Sequence, residues 1–292
     1  MTTEVLTGVG AMGGLTFALA TMLVIANRRL HVEEDPRLDV VEDMLPHANC
    51  GACGYPGCRP FAEALLAHEA LPGKCTVSDA EGRSRIADFL GVDVGQESKR
   101  VARLACAGGS NVARVRAHYD GPLGAESCRA AALVAGGGKA CFWGCLGHGD
   151  CETACTFDAI HMDRHDLPRV DEDACTACGD CVEVCPKDLF SIVPAEQRLW
   201  VACKSLGAGD GLLEDCRVAC TACARCEMDG DGTVRMEGNL PVVDPSRGPL
   251  TRKPIERCPT GAIVWIDAER GAQRGAHARP VARRTALDEA AT

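Results

Sequence analysis

Twenty cysteines in 292 residues, most of them in short repeated spacings, constrain this chain more than any other feature. Cysteines spaced CxxC cross-link poorly with one another, but each can direct a thiolate at one shared centre. Aromatic residues make up only 4% of the chain, so a large conventional core is not expected to hold its middle part together. The pattern therefore favours metal-centred modules over a disulfide scaffold.

The first 30 residues predict a membrane anchor. Residues 5–26 carry no charge, and a helix of that length crosses a bilayer core of about 30 Å. A cleavable signal peptide is the alternative, but it needs positive charge before the apolar stretch, where only Glu4 stands. Arg28 and Arg29 follow the stretch, which predicts a single-pass protein of the cell (inner) membrane with its bulk on the cytoplasmic side. Cytoplasmic thiols stay reduced, which again favours metal ligation.

The first cysteine group follows this anchor with the spacing CxxCx4Cx16C. Four cysteines in this pattern can close a four-iron cluster or a zinc site. Intervening glycines let the backbone fold tightly around a metal and present amide groups to sulfur. The predicted ligands are Cys50, Cys53, Cys58 and Cys75.

The middle of the chain contains a bacterial ferredoxin half with the spacing CxxCxxCxxxCP, which ends at Cys185 and Pro186. Its expected partner half lies upstream, with longer gaps and Thr156 in place of the usual proline. Ferredoxin halves exchange their fourth ligand. The exchange predicts one cluster on Cys141, Cys145, Cys151 and Cys185, and another on Cys155, Cys175, Cys178 and Cys181.

A third region begins a ferredoxin half without the closing CP, and a CP pair follows much later. We interpret it as a two-cluster ferredoxin that has lost one cluster, although a decayed, empty module would leave the same pattern. The surviving set is predicted to be Cys220, Cys223, Cys226 and Cys258.

The last four cysteines mark an internal repeat, in which an apolar strand ends in cysteine and a loop then leads to a Cys-Arg pair. They could converge on a further cluster or serve as small buried thiols. We favour the second alternative for Cys106, Cys128, Cys203 and Cys216.

Residues 28–66, with RRL, EEDP and CGACGYPGCRPFAEAL, followed by Cys75, resemble the B subunit of the Rnf ion-translocating oxidoreductase complex. The CLGHGDC run at 145–151 is similar to that of its longer members. The resemblance implies a [4Fe-4S] cluster on the first cysteine group. It also implies partners, namely soluble ferredoxin or an NAD(H)-oxidising subunit, membrane-bound flavin subunits and the rest of the complex.

These observations predict an α+β fold with one transmembrane helix, a small, mostly helical four-cysteine domain and ferredoxin-like modules. The formal net charge of −10 argues against nucleic acid as a partner. The predicted divisions are a transmembrane anchor at 1–27, a four-cysteine domain at 28–92, a strand and loop repeat at 93–140, a two-cluster ferredoxin at 141–197, a second repeat with a degenerate ferredoxin at 198–267 and a disordered tail at 268–292.

Electron transfer through three [4Fe-4S] clusters, and a fourth in the third region, is the function that the cysteine spacing predicts, and the resemblance implies that it serves a translocase. No Ser-His-Asp set, phosphate loop or flavin pattern stands out, so no catalytic side chains are expected. One alternative is a membrane-bound polyferredoxin that feeds another reductase, such as one that reduces a redox-sensing regulator. A zinc-binding structural protein is the third.

Overall fold

The computed structural model describes residues 2–30, 35–96, 98–117, 127–267 and 270–279. It confirms the mixed helix and strand class. The helices are α1 (Thr2–Leu30), α2 (Arg37–Met44), α3 (Cys58–Leu66), α4 (Ala80–Leu90), α5 (Cys128–Leu133), α6 (Asp150–Thr153), α7 (Asp180–Val184), α8 (Leu212–Asp215), α9 (Arg225–Met228) and α10 (Lys253–Glu256). The strands are β1 (Arg100–Leu104), β2 (Ile160–Met162), β3 (Pro168–Val170), β4 (Phe190–Pro194), β5 (Leu199–Val201), β6 (Val234–Glu237), β7 (Leu240–Val243), β8 (Ile263–Asp267) and β9 (Gly271–Gln273).

Over residues 8–29, where its side chains are described, helix α1 buries no apolar side chain against the rest of the protein. Val9 is 67% exposed and Phe17 is 75% exposed. Over Gly8–Arg29 its mean hydropathy is 2.0, and by length and composition it could cross a membrane. A helix that exposes this much apolar surface suits an apolar environment such as a bilayer.

A small helical core follows, built from α2, α3 and α4. Leu38 and Val41 of α2 pack with Phe61 and Leu65 of α3 against Ile86 of α4. The Asp79 carboxylate begins α4 by accepting a 2.6 Å hydrogen bond from the amide of Gly82. This core supports the loops that carry the first cysteine group.

The middle part contains two antiparallel pairs, β1 with β4 and β2 with β3. Each of the short helices α6 and α7 begins directly after a glycine with positive φ, Gly149 and Gly179. A two-half ferredoxin would be expected to pair the strands around residues 159–161 and 189–192 across its pseudo-twofold axis, but the structure does not pair them. Strand β1 occupies the side of β4 instead, while a turn at 163–167 folds β3 back on β2.

The C-terminal part repeats this plan with β5 paired to β8 and β6 paired to β7. Leu199, Val234, Ile255 and Ile263 are almost fully buried in its core. The prediction of a disordered tail at 268–292 is wrong for residues 271–273, because they form β9 against β8. Residues 268–269 and 280–292 lie outside the described residues, and the predicted domain limits stay a prediction.

Candidate metal centres

The first site is held between the start of α3 and the loop before α4. The thiols of Cys53, Cys58 and Cys75 pack against the helical core. Burial is the main cause that raises the pKa of Cys53, and the nearby thiols of Cys75 and Cys50 add to it. The Ser78 hydroxyl lies 3.2 Å from the sulfur of Cys75. The thiols predicted to act together from their spacing are therefore neighbours.

The second site is a cavity lined by Cys155, Cys175, Cys178 and Cys181. The amide of Ala159 donates to the sulfur of Cys155 at 3.3 Å, and that of Ala102 donates to the sulfur of Cys175 at 3.5 Å. These are the four cysteines that ligand exchange between ferredoxin halves assigns to one cluster.

The third site differs from the sequence prediction in one member. Its cavity is lined by Cys128, Cys145, Cys151 and Cys185, and the predicted Cys141 is absent from it. The Asp150 carboxylate accepts hydrogen bonds from the amides of Cys128 at 2.7 Å and Arg129 at 3.2 Å. It thereby fixes the start of α5 beside α6, because a carboxylate satisfies amides that a helix start leaves free.

A spacing signal shows that this third set lacks one thiol near the others along the chain. Cys145, His148, Cys151 and Cys155 repeat the spacing of Cys175, Cys178, Cys181 and Cys185, with histidine in place of the second cysteine. The backbone amide of His148 points at the sulfur of Cys128. Cys128 therefore supplies, from a distant segment, the thiol that the histidine position lacks.

The fourth site is a cavity lined by Cys220, Cys223, Cys226 and Cys258. Burial, followed by the neighbouring thiols of Cys220, Cys258 and Cys223, raises the pKa of Cys226 to about 12. A buried thiol of this kind carries a proton at neutral pH unless a metal cation replaces it. The structure brings together the four cysteines predicted for this region.

A site for a single metal ion and a site for a larger iron–sulfur centre place their thiols differently. In the ranges that the structure covers, no three His, Cys, Asp or Glu side chains are close enough to hold one metal ion. Zinc in a tetrahedral thiolate site would hold its sulfurs about 3.8 Å apart, given a Zn–S bond of about 2.3 Å. Four thiols around a cavity, with amides directed at sulfur, fit a polynuclear iron–sulfur centre instead.

Comparison with known proteins gives matches over most of the chain. The family described as an Fe-S cluster matches residues 45–77, and the 4Fe-4S dicluster domain matches residues 143–192. The chain is 36% identical over 266 residues to the B subunit of the Na(+)-translocating ferredoxin:NAD(+) oxidoreductase complex of Acetobacterium woodii, covering 90% of this chain and 78% of that relative.

Two further relatives are covered almost entirely. The B subunit of the ion-translocating oxidoreductase complex of Methanosarcina acetivorans is 31% identical, with 90% of this chain and 99% of the relative aligned. The B subunit of the proton-translocating ferredoxin:NAD(+) oxidoreductase complex of Clostridium ljungdahlii is 36% identical, with 87% of this chain and 89% of the relative aligned. These alignments extend far beyond the two matched domains.

Proposed function

This chain belongs to the B-subunit family of ion-translocating oxidoreductase complexes, whose members are iron–sulfur electron-transfer subunits, and we propose that four of its cysteine sets ligate [4Fe-4S] clusters. The observation that carries the proposal is that four cysteines line one cavity at each of three sites, while the cysteines of the first site lie together against the helical core. The proposed ligands are Cys50, Cys53, Cys58 and Cys75; Cys155, Cys175, Cys178 and Cys181; Cys128, Cys145, Cys151 and Cys185; and Cys220, Cys223, Cys226 and Cys258.

A bound [4Fe-4S] cluster supplies reversible one-electron chemistry. The chain itself spaces the sites and adjusts their potentials through hydrogen bonds to sulfur. The amides of Ala159 and Leu189 donate to Cys155 at 3.3 Å and to Cys185 at 3.5 Å, from equivalent positions in the two ferredoxin halves. Such bonds favour the more negative, reduced state and so raise its potential.

Membrane attachment is the role that we assign to α1. Its segment from Gly8 to Ala26 contains no ionisable side chain, so it offers no path for an ion, and other subunits would translocate the ion. Arg28 and Arg29 at the end of the helix support a single pass with the cysteine sites on the cytoplasmic side. We propose no catalytic site built from side chains.

The partners that we propose follow from the relatives. Two of them are named as components of ferredoxin:NAD(+) oxidoreductase complexes. We therefore assign soluble ferredoxin or an NAD(H)-oxidising subunit to one end of the electron path, and membrane-bound flavin subunits to the other.

Metal content of the full chain tests this proposal. Protein purified without oxygen in detergent should contain iron and acid-labile sulfide in equal amounts, at least about 16 of each per chain. Reduction with dithionite should produce an electron paramagnetic resonance signal. A colourless protein that contains zinc and has no reducible signal would contradict the proposal.

A further inference from the structure

Four cysteines remain outside the four sites, namely Cys106, Cys141, Cys203 and Cys216. Although they come from four separate segments, the structure brings them together. A Cβ atom placed on Gly108 would lie 3.0 Å from the sulfur of Cys216 and 3.7 Å from that of Cys106, so both thiols flank one backbone position. Cys141 packs against the same small core that contains Cys216.

Electrostatic coupling connects the same four thiols. Burial raises the pKa of Cys216 to about 12, and Cys106, Cys141 and Cys203 each add to the effect. Burial also raises the pKa of Cys141, with Cys106 and Cys203 as the neighbouring thiols that contribute. Backbone contacts also place Cys203 beside Cys216, because the amide of Cys220 donates to the sulfur of Cys203 and that of the preceding Ala219 donates to the carbonyl of Cys216. The coupling therefore agrees with the packing and indicates one shared site.

Backbone amides surround two of the sulfurs in matching pairs. Cys106 accepts from the amides of Gly108 and Cys145, both at 3.4 Å. Cys203 accepts from the amide of Ser205 at 3.5 Å and from that of Cys220 at 3.3 Å. A neutral thiol is a weak acceptor, whereas a metal-bound thiolate is a strong one, so paired donors at each sulfur favour ligation over simple packing.

The internal repeat accounts for this symmetry, but in a different register from the one that the Cys-Arg pairs predicted. Strand β1 ends two residues before Cys106, and β5 ends two residues before Cys203. The matching second members are Cys141 and Cys216, because each stands four residues before a ligand of a neighbouring site, Cys145 and Cys220. Each repeat thus contributes two thiols, and neither repeat has a complete site alone.

We propose that Cys106, Cys141, Cys203 and Cys216 ligate a fifth [4Fe-4S] cluster, which relays electrons between the third and fourth sites. This inference rests on the proposed function of those two sites. Each relay step moves one electron, so one cluster is oxidised as the next is reduced, and no atoms are exchanged.

The position between these sites follows from the hydrogen bonds. Cys145, a member of the third site, donates its amide to Cys106, and Cys220, a member of the fourth site, donates its amide to Cys203. At the other end, the hydroxyl of Thr76 donates to the carbonyl of Thr176 at 2.7 Å and joins the loops of the first and second sites. The second and third sites are adjacent, because α6 and α7 each carry a cysteine of one site and are followed by a cysteine of the other. The resulting order is first, second, third, fifth and fourth.

Iron content of the full chain decides whether the fifth cluster exists. Wild-type protein purified anaerobically in detergent should hold about 20 iron and 20 sulfide per chain, against about 16 if only four clusters form. Cys203→Ser should lose about four iron. The double variant Cys141→Ser/Cys203→Ser should lose no more than the single, since both residues serve one cluster. The matched control, Cys203→Ser/Cys258→Ser, should lose about eight.

The outcomes separate this inference from the proposed function. A wild-type content near 16, unchanged in Cys203→Ser, would refute the fifth cluster and leave the other four standing. A loss of about eight iron in Cys141→Ser/Cys203→Ser would return Cys141 to the third site and refute its assignment to the fifth cluster. Wild-type protein without iron would remove the proposed function itself. The wild-type count decides the matter even if a variant does not fold.

Discussion

Removal of the Asp150 carboxylate should loosen one cluster and leave the others unchanged. The carboxylate accepts two amide hydrogen bonds at the start of α5, at 2.7 Å from Cys128 and at 3.2 Å from Arg129. A charged acceptor stabilises such bonds by about 1.5–3 kcal/mol each when protected from water. The amide of Arg129 is exposed, so water compensates part of its loss, and Asp150→Ala should cost about 2 kcal/mol in the placement of Cys128.

A cost of about 2 kcal/mol corresponds to roughly a 30-fold change in an equilibrium constant. We expect about four iron per chain to be released roughly 30-fold faster to a chelator in Asp150→Ala, with the rest at the wild-type rate. The assay follows the visible absorbance of anaerobic protein after the chelator is added. Asp173→Ala is the matched control, because that side chain is fully exposed and makes only a 3.3 Å pair with Lys99.

Equal release rates in Asp150→Ala and the wild type would refute the assignment of Cys128 to the third site. The same acceleration in Asp173→Ala would refute the local cause, since the effect would then follow from loss of surface charge. Faster release of all the iron would indicate general unfolding rather than a displaced ligand.

Three further predictions concern charge, packing and the anchor. Lys139 donates to the carbonyl of Gly108 at 2.7 Å, so its cation lies beside the fifth site. In a redox titration followed by electron paramagnetic resonance, Lys139→Met should lower one reduction potential by on the order of 50 mV. An unchanged set of potentials would contradict this. Gly275 packs so closely that a Cβ would overlap the carbonyl oxygen of Ile255, so Gly275→Ala should lower the unfolding temperature. In the control Gly211→Ala, the added Cβ would meet no atom within 4 Å and the residue has an ordinary helical φ, so the unfolding temperature should stay nearly unchanged. Deletion of residues 1–30 should give a protein that stays soluble without detergent and keeps its full iron content, because nearly all described side chains of α1 are exposed. Loss of iron would show that the helix supports a site.

Local spacing allowed much of the site to be predicted. Cys175, Cys178 and Cys181 lie within one loop and helix turn, so the spacing itself places their thiols together. The same reasoning found Cys220, Cys223 and Cys226, and ligand exchange between halves found their distant partner Cys258. The relatives confirm the family to which residues 28–66 point.

The sites to which Cys128 and Cys141 belong could not be predicted from spacing. The short gap from Cys141 to Cys145 suggested a shared site, yet only Cys145 lines the third cavity, while Cys141 packs against the small core that contains Cys216. Cys128 lines the third cavity, and Asp150, 22 residues away, holds the start of its helix there. Contacts between distant segments leave no periodic signal in a sequence, since they depend on how completed loops pack.

The sequence by itself determined the kind of chemistry, the presence of an apolar N-terminal helix and the thiol sets whose members are close along the chain. Tertiary structure alone decided how the two repeats pack against each other. That packing places Cys128 rather than Cys141 in the third site and brings the four remaining thiols together. The physical reason is that a four-thiol site needs positions in space, and only residues within one turn or loop inherit those positions from their spacing.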